Sequence, residues 1–305
     1  MEVLNTVGPV FILIALGALL FRRFLDEAFL RGINWLTYWV GLPALIFDSL
    51  SRAELAEPLA AKVMAVVAVA TLMSLAAGAL TARLLGVSSR SVGTFLQASF
   101  RGNLAFIGIP VVIFAYPDSE NAGTLAILVL GPIMLLYNVL SVIVLERSRG
   151  AEGRWFTRKL LRTLLTNPLI LASIAAALFS LSGWGLPFFL ERSVDVLGRM
   201  ALPLALLSIG GALAVVRVKG GIRAASAAAV VKVGVCPLIG VVLADIAGLE
   251  GETLGIALIL LACPTAAASY ILAQQLGGDE GLASGAIVIS TLLSAASLST
   301  VIALV

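Results

Sequence analysis

The sequence predicts an all-α membrane protein with ten transmembrane helices, arranged as two inverted repeats of five helices. The chain is rich in apolar residues (60%), poor in charged ones (12%), and has a mean hydropathy of +1.09. Its apolar residues form blocks of about 20, and a helix of that length crosses a hydrocarbon core of about 30 Å. Prolines also recur at a nearly constant offset between the two halves. Together these observations exclude an ordinary soluble domain.

The apolar blocks give the predicted helices in chain order. They cover residues 6–21, 33–50, 61–81, 92–115, 123–145, 166–182, 196–216, 222–246, 253–275 and 281–305. Unbroken apolar runs argue against a transmembrane β-barrel, whose strands alternate apolar and polar residues over about 10 positions. The blocks divide the chain into a first repeat (1–145), a cytoplasmic basic linker (146–165) and a second repeat (166–305).

Charges in the loops predict the orientation. The first block is followed by Arg22 and Arg23, the reverse of a secretory signal, so we expect it to stay attached with its start outside. Fourteen basic residues of the loops then face the cytoplasm, in accord with the positive-inside rule. Four face outward, namely Arg52, Lys62, Arg192 and Arg199. The prediction is a multi-pass protein of the cell membrane with both termini outside.

The composition also argues against several classes of function. Histidine is absent, and the two cysteines, Cys236 and Cys263, fall inside predicted helices. We therefore expect no disulfide framework, metal site, cofactor or enzymatic activity. The modest net charge of +3 reflects the loop asymmetry, so we expect no nucleic-acid partner. The basic linker is interpreted as a membrane-surface segment, with a lipid-specific site as the alternative.

Prolines mark the internal repeat. The pairs are Pro9 with Pro168, Pro43 with Pro203, and Pro110 with Pro264, at offsets of 159, 160 and 154. Because each repeat holds an odd number of helices, the second copy must enter the membrane inverted. The alternative is chance, since prolines are more frequent in membrane helices than in soluble ones.

The fourth and ninth blocks are predicted to be broken helices. The fourth contains Arg101, Gly102, Asn103 and Pro110, and the ninth contains Pro264. A proline removes a backbone hydrogen bond, and hydrocarbon offers no water to replace it. Such a break must line protein or a wet cavity, so two breaks in inverted repeats indicate a central binding site.

The chain resembles the auxin efflux carrier family, which includes plant auxin exporters and bacterial carriers of malonate and malate type. The resemblance covers nearly the whole chain. It is most specific at 102–110 (Gly-Asn-Leu-Ala-Phe-Ile-Gly-Ile-Pro), at Tyr137-Asn138 through Leu140, at Ala201-Leu202-Pro203 through Ile209-Gly210-Gly211, and at Cys263-Pro264 through Ala273-Gln274-Gln275.

The resemblance implies a ten-helix fold related to bile-acid sodium symporters. In that fold, helices 1, 2, 6 and 7 form a scaffold, while helices 3–5 and 8–10 form a transport domain in which helices 4 and 9 cross. It also implies a homodimer and an elevator-like movement. The chain lacks the long central cytoplasmic loop of the plant members.

Candidate substrate-binding residues cluster at the two breaks. They are Arg101, Asn103, Phe106, Pro110, Pro264, Thr265 and Ser269. Asn103 matches the family's crossover asparagine and either bonds a carboxylate or caps the broken helix. The guanidinium of Arg101 suits a carboxylate, with a salt bridge to Asp48 or Asp195 as the alternative.

Other polar residues have two interpretations each. Thr265 and Ser269, at i and i+4, either face the crossover cavity or bond to carbonyls one turn earlier. Asp48 and Asn138 are candidates for coupling or support. Tyr137 and Asn138 either satisfy freed backbone groups, the favoured structural role, or touch a cation. Lys232 is interpreted as an interfacial residue, with a part in coupling as the alternative. Two further segments, Gly210-Gly211 and Gly78 through Ala82, predict close helix contacts.

These features predict a secondary transporter of small organic anions, carboxylates such as malonate, malate or auxin-like acids. Its partners are then the anion, the lipid bilayer and a second copy of the chain. A sodium-coupled symporter of the bile-acid type is one alternative, and it requires a cage of carboxylate and carbonyl oxygens. A membrane sensor that does not transport is another.

Overall fold

The regular secondary structure in the described part of the chain is all helical. The computed structural model describes residues 2–24, 26–51, 58–119, 121–148, 166–215 and 221–305, and these ranges contain no β-strand. From residue 149 onward, the predicted linker lies outside them. Five helices are long and apolar enough to cross a membrane: Pro58–Leu84, Ala122–Ser148, Phe188–Ala214, Ile222–Ile246 and Glu280–Leu304. Shorter apolar helices accompany them, which confirms the predicted all-helical membrane character.

Seven α-helices are described before residue 149. They are α1 (Glu2–Arg23), α2 (Glu27–Leu36), α3 (Leu42–Ser51), α4 (Pro58–Leu84), α5 (Ser89–Phe100), α6 (Ile109–Ala115) and α7 (Ala122–Ser148). A π-helical turn, Thr37–Gly41, joins α2 to α3, and a second one, Leu104–Gly108, leads into α6.

Eight α-helices are described after residue 165. They are α8 (Pro168–Ser182), α9 (Phe188–Arg199), α10 (Ala201–Val215), α11 (Ile222–Val230), α12 (Cys236–Ile246), α13 (Gly251–Ala262), α14 (Ala268–Gln275) and α15 (Glu280–Leu304). A third π-helical turn, Val231–Val235, joins α11 to α12.

Each π-helical turn stands just before a proline. The turns end two residues before Pro43, Pro110 and Pro237. A proline cannot donate a backbone hydrogen bond and crowds the carbonyl four residues earlier, so the helix widens locally instead of continuing its regular bonding. The carbonyl of Val233, four residues before Pro237, instead accepts a hydrogen bond from the Ser297 hydroxyl at 2.5 Å.

Small residues bring α1 and α10 into backbone contact. A β-carbon added at Gly210 would overlap the carbonyl of Ile14, and one added at Gly17 would overlap the carbonyl of Leu207. Gly78 of α4 likewise stands against Ser99 of α5. These contacts match the close approaches predicted for the Gly210 and Gly78 segments, since small residues let membrane helices meet closely.

A second close contact joins the segments around two of the paired prolines. A β-carbon at Gly41, two residues before Pro43, would lie 3.1 Å from the Cα of Ala201, two residues before Pro203. Nearby, a β-carbon at Gly198 would lie 3.0 Å from the Cα of Leu45. Beyond this contact, α3 packs along α8.

The centre of the protein is occupied by α13. Its residues from Gly255 to Ala262 are all buried, and it contacts α4, α7, α12 and α15. A helix that is apolar on every side and enclosed on every side is typical of the core of a large helical protein. This placement puts the end of α13, where the ninth predicted block breaks, inside the molecule.

Candidate functional site

The two predicted broken helices meet at their breaks. After α5 the backbone leaves the helix at residues 101–103, and after α13 it leaves at residues 263–267. The amide of Asn103 donates to the carbonyl of Pro264 at 2.8 Å, and the amide of Ala266 donates to the carbonyl of Arg101 at 2.9 Å. Gly102 and Thr265 face each other in this short antiparallel bridge. Each break therefore satisfies backbone groups of the other.

Side chains from other segments cap the end of α5. The hydroxyl of Thr265 donates to the carbonyl of Ala98 at 2.9 Å, and the hydroxyl of Ser74 donates to the carbonyl of Ser99 at 2.8 Å. The last carbonyls of a helix have no partner within it, and in a buried site they need one. Thr265 thus bonds across the crossing. The alternative interpretation, a bond to a carbonyl of its own preceding turn, is wrong.

Thr265 and Ser269 do not share a helix. Thr265 lies in the break, where its amide donates to the hydroxyl of Ser290 at 3.0 Å, and α14 begins only at Ala268. The predicted i, i+4 face is therefore wrong, because the chain after Pro264 stays non-helical through Ala267. Both hydroxyl-bearing residues are nevertheless buried at the crossing.

Arg101 is buried and bonded to neutral oxygens. Its side chain is 5% exposed, and its guanidinium donates to the Ser141 hydroxyl at 3.0 Å and to the Asn138 amide oxygen at 2.8 Å. Asn138 therefore holds the Arg101 guanidinium through its side-chain oxygen. The alternative of a salt bridge from Arg101 to Asp48 or Asp195 is wrong, because the guanidinium bonds to Ser141 and Asn138. Asp195 pairs with Arg199 at 2.7 Å.

Lys232 lies at the crossing, where the sequence pattern did not place it. It is 0% exposed, and its ammonium donates to the carbonyl of Leu261, in the last turn of α13, at 2.6 Å. The interfacial interpretation is wrong because the π-helical turn that carries Lys232 is enclosed by α4, α5, α13 and α15. The ammonium caps the negative end of a helix dipole.

The buried charges at the crossing are all positive. Within the described ranges, Arg101 and Lys232 are buried, no aspartate or glutamate is, and no carboxylate lies within 4 Å of either cation. An ion taken out of water costs several kcal/mol unless an opposite charge compensates it. Neutral oxygens compensate only part of that cost. The crossing therefore favours an anion.

Several buried polar atoms on the segments that form or contact the crossing lack a partner among the described residues. They include both amide atoms of Gln97, the amide nitrogen of Asn138 and the hydroxyls of Tyr137 and Ser269. Gln97 lies one turn before Arg101 on α5, and its carbonyl accepts the Arg101 amide at 3.0 Å. Buried polar groups in native proteins are almost always bonded, so this cluster is suited to a polar ligand or to water.

The remaining predicted site residues do not all lie at the crossing. Asn103 is 7% exposed and takes part in the bridge through its backbone, and its side chain does not cap the helix that follows. Phe106 is half-buried in the π-helical turn. Pro264 lies in the break, whereas Pro110 lies within α6, so the chain does not break at Pro110.

Asp48 belongs to a different site. It lines an open cavity of about 890 Å³ beside α3 and α9. The other lining residues are Phe188, Glu191, Arg192, Asp195, Val196 and Arg199. None of them is buried, and the structure does not bring Asp48 to the crossing.

Five apolar helices long enough to cross a membrane, together with shorter helices that end at a buried and positively charged crossing, are typical of a membrane transporter. A comparison with protein-family models agrees. The model described as "Membrane transport protein" matches residues 2–302. The chain belongs to this family, the auxin efflux carrier family, as its resemblance predicted.

Two curated relatives are similar over most of their length. An uncharacterized transporter of Methanothermobacter thermautotrophicus is 26% identical over 297 residues, covering 96% of this chain and 95% of the relative. An uncharacterized transporter of Methanocaldococcus jannaschii is 23% identical over 281 residues, covering 88% of each chain.

Proposed function

We propose that this protein is a secondary transporter of small organic anions, and that it binds a carboxylate at the crossing of α5 and α13. The observation that carries this proposal is the burial of Arg101 and Lys232 without a carboxylate partner among the described residues. The planar guanidinium of Arg101 offers paired donors that fit a carboxylate. Asn103, Thr265, Ser269 and the unpartnered amide of Gln97 would supply further polar contacts.

An inverted repeat of two five-helix units is part of the proposal. The two hydrogen bonds of the bridge exchange with each other when residue numbers are shifted by 163, the separation of Gly102 and Thr265. Gly78 stands against Ser99 in the first half, and Gly240 stands against Leu261 in the second. The two glycine contacts correspond at a shift of 162, close to that of the bridge. This register pairs Pro264 with Arg101, which lies nine residues before Pro110, the partner that the proline offsets gave to Pro264.

The same arrangement supports a division into two parts. The predicted scaffold would comprise α1, α2, α3, α8, α9 and α10, in which α1 packs on α10 and α3 packs on α8. The remaining helices would form the transport domain around the crossing. An elevator mechanism, in which this domain slides against the scaffold of a homodimer, would carry the site across the membrane. In the proposed orientation both termini lie outside the cell membrane.

Sodium coupling is the less favoured alternative. Sodium sites are built from several oxygens and commonly include a carboxylate, but the buried side chains described at the crossing include none. Two buried cations would also repel a metal ion. A gradient of protons or of a counter-transported anion fits the site better.

The experiment is uptake into proteoliposomes. Wild type, Arg101→Gln and Asn103→Ala would be compared for a panel of dicarboxylates and aromatic monocarboxylates, with and without sodium and proton gradients. Loss of the Arg101 charge is expected to lower uptake by about 100-fold or more, as for the loss of one partner of a buried charge pair. Arg83→Gln, which removes an exposed arginine near the end of α4, is the matched control and should keep wild-type uptake.

The outcomes separate the alternatives. Saturable uptake that is lost in both site variants and kept in the control supports the crossing as the substrate site. Robust uptake by Arg101→Gln places the site elsewhere. Uptake that requires sodium supports the symporter, and no uptake of any anion supports the sensor.

A further inference from the structure

Lys232 performs a task that a neutral group performs in the other half of the protein. The last turn of α5 presents the carbonyl of Ser99 to the Ser74 hydroxyl, and the last turn of α13 presents the carbonyl of Leu261 to the Lys232 ammonium. Ser99 and Leu261 correspond to each other, since each stands against a glycine of the preceding helix. Because a hydroxyl suffices for the first cap, the charge of Lys232 exceeds what capping requires.

The environment of Lys232 makes that extra charge expensive. Its side chain is completely buried, and the described residues place no carboxylate within 4 Å of the ammonium. An ammonium has three donors, and one is assigned to the Leu261 carbonyl. The cost of burying the charge, several kcal/mol, falls when an anion arrives.

Lys232 lies against the bridge next to Arg101. Its Cε lies 3.3 Å from the position that a β-carbon of Gly102 would take, and the Tyr137 hydroxyl lies 3.4 Å from that position. Gly102 directly follows Arg101, whose guanidinium donates to Asn138, the residue after Tyr137 on α7. Both buried cations are therefore positioned around the same two residues of the bridge, Arg101 and Gly102.

We propose that Lys232 supplies the second positive charge of the anion site and makes the carrier select dianions over monoanions. This inference rests on the proposed function. A monoanion on Arg101 would leave the Lys232 charge buried and uncompensated, whereas a dicarboxylate would neutralise both. The selection follows from the count of buried charges and does not require a particular carbon skeleton.

The test compares each dianion with a monoanion of nearly the same shape. The probes are malonate, succinate and glutarate, each beside its monomethyl ester, in proteoliposome uptake at a pH where all remaining carboxyl groups are ionised. Wild type is expected to take up at least one diacid about tenfold faster than its ester at equal concentration.

The decisive variant is Lys232→Gln, which loses the charge but keeps a side-chain N–H donor for the Leu261 carbonyl. It is expected to lower the ratio of diacid to ester uptake about tenfold, to near one, mainly by slowing diacid uptake. Lys232→Arg should keep a ratio well above one. Lys62→Gln removes an exposed lysine of α4 and should leave the ratio unchanged.

The outcomes separate failure of the role of Lys232 from failure of anion transport as the function. If Lys232→Gln slows diacid and ester equally, the residue is a structural cap and the inference is wrong. If wild type prefers the esters, the inference also fails while anion transport stands. If wild type transports none of the probes or the wider panel, the proposed function fails as well. The wild-type ratio remains informative even if the glutamine variant does not fold.

Discussion

The contact between α1 and α10 and the crossing of α5 with α13 both bring backbones together inside a membrane protein, but they do so by opposite means. Along α1 and α10, glycines such as Gly17 and Gly210 remove side chains so that helix surfaces meet directly. At the crossing, the helices stop, and backbone groups of Arg101, Asn103, Pro264 and Ala266 bond across the gap. The first contact depends on shape and the second on polar partners.

The two contacts differ in whether a ligand can replace the groups that form them. A contact built on close packing has no partner to offer and is disrupted by any added volume. A contact built on hydrogen bonds and buried cations can exchange partners with a polar molecule at little net cost. Predicted scaffold and predicted site thus respond to different kinds of substitution.

The largest effect is expected from added volume on α10. Gly210→Leu should prevent α1 and α10 from meeting, because even a β-carbon at this position overlaps the Ile14 carbonyl. Gly210→Ala should lower the free energy of unfolding by about 3 kcal/mol. Thermal unfolding of the purified protein in detergent measures the change.

The control for this prediction is Gly32→Ala. Gly32 lies in α2, where an added β-carbon meets nothing within 4 Å, so alanine should leave stability equal or raise it by about 0.5–1 kcal/mol. An unfolding temperature of Gly210→Ala equal to that of wild type would show that α1 and α10 are further apart than described.

A smaller loss is expected at the polar crossing. Thr265→Val removes the hydroxyl that caps Ala98 and should cost about 1–2 kcal/mol of stability, because a buried carbonyl loses its partner without a change in volume. The same unfolding measurement applies. Thr265→Ser keeps a hydroxyl and should recover most of the loss. Equal stability of the valine and serine variants would contradict the cap.

The smallest effect is expected in the open cavity beside α3 and α9. Asp195→Asn breaks the pair with Arg199, whose side chain is 79% exposed, and solvent screens such pairs strongly. Anion uptake and the unfolding temperature should both stay at wild-type values. Loss of uptake would indicate that the substrate site lies in this cavity, near Asp48, and not at the crossing.

The sequence allows the breaks to be predicted but not what meets there. Glycine, asparagine and proline within a long apolar block indicate a break, and both breaks lie inside the predicted blocks. Pro110 misled the alignment because a π-helical turn accommodates it, so the chain breaks earlier, at Arg101. The capping of Ala98 by Thr265 spans 167 residues, a distance over which local patterns carry no information.

Lys232 shows a limit that is particular to membrane proteins. In a soluble helix the polar face points to water, so alternation of residue types identifies the buried side. Here lipid and protein interior are equally apolar, and the segment from Ile222 to Ile246 offers no pattern that separates them. The burial of its lysine could not be predicted from the sequence.

The bridge between the two breaks also affects how the protein is made. The amide of Asn103 and the carbonyl of Arg101 find their partners at Pro264 and Ala266, which a ribosome adding about 5–20 residues per second reaches roughly 10–30 s later. Until then the first half has been synthesised with an arginine and open backbone groups where its fourth block breaks. The central site is therefore completed only after the second half has been synthesised.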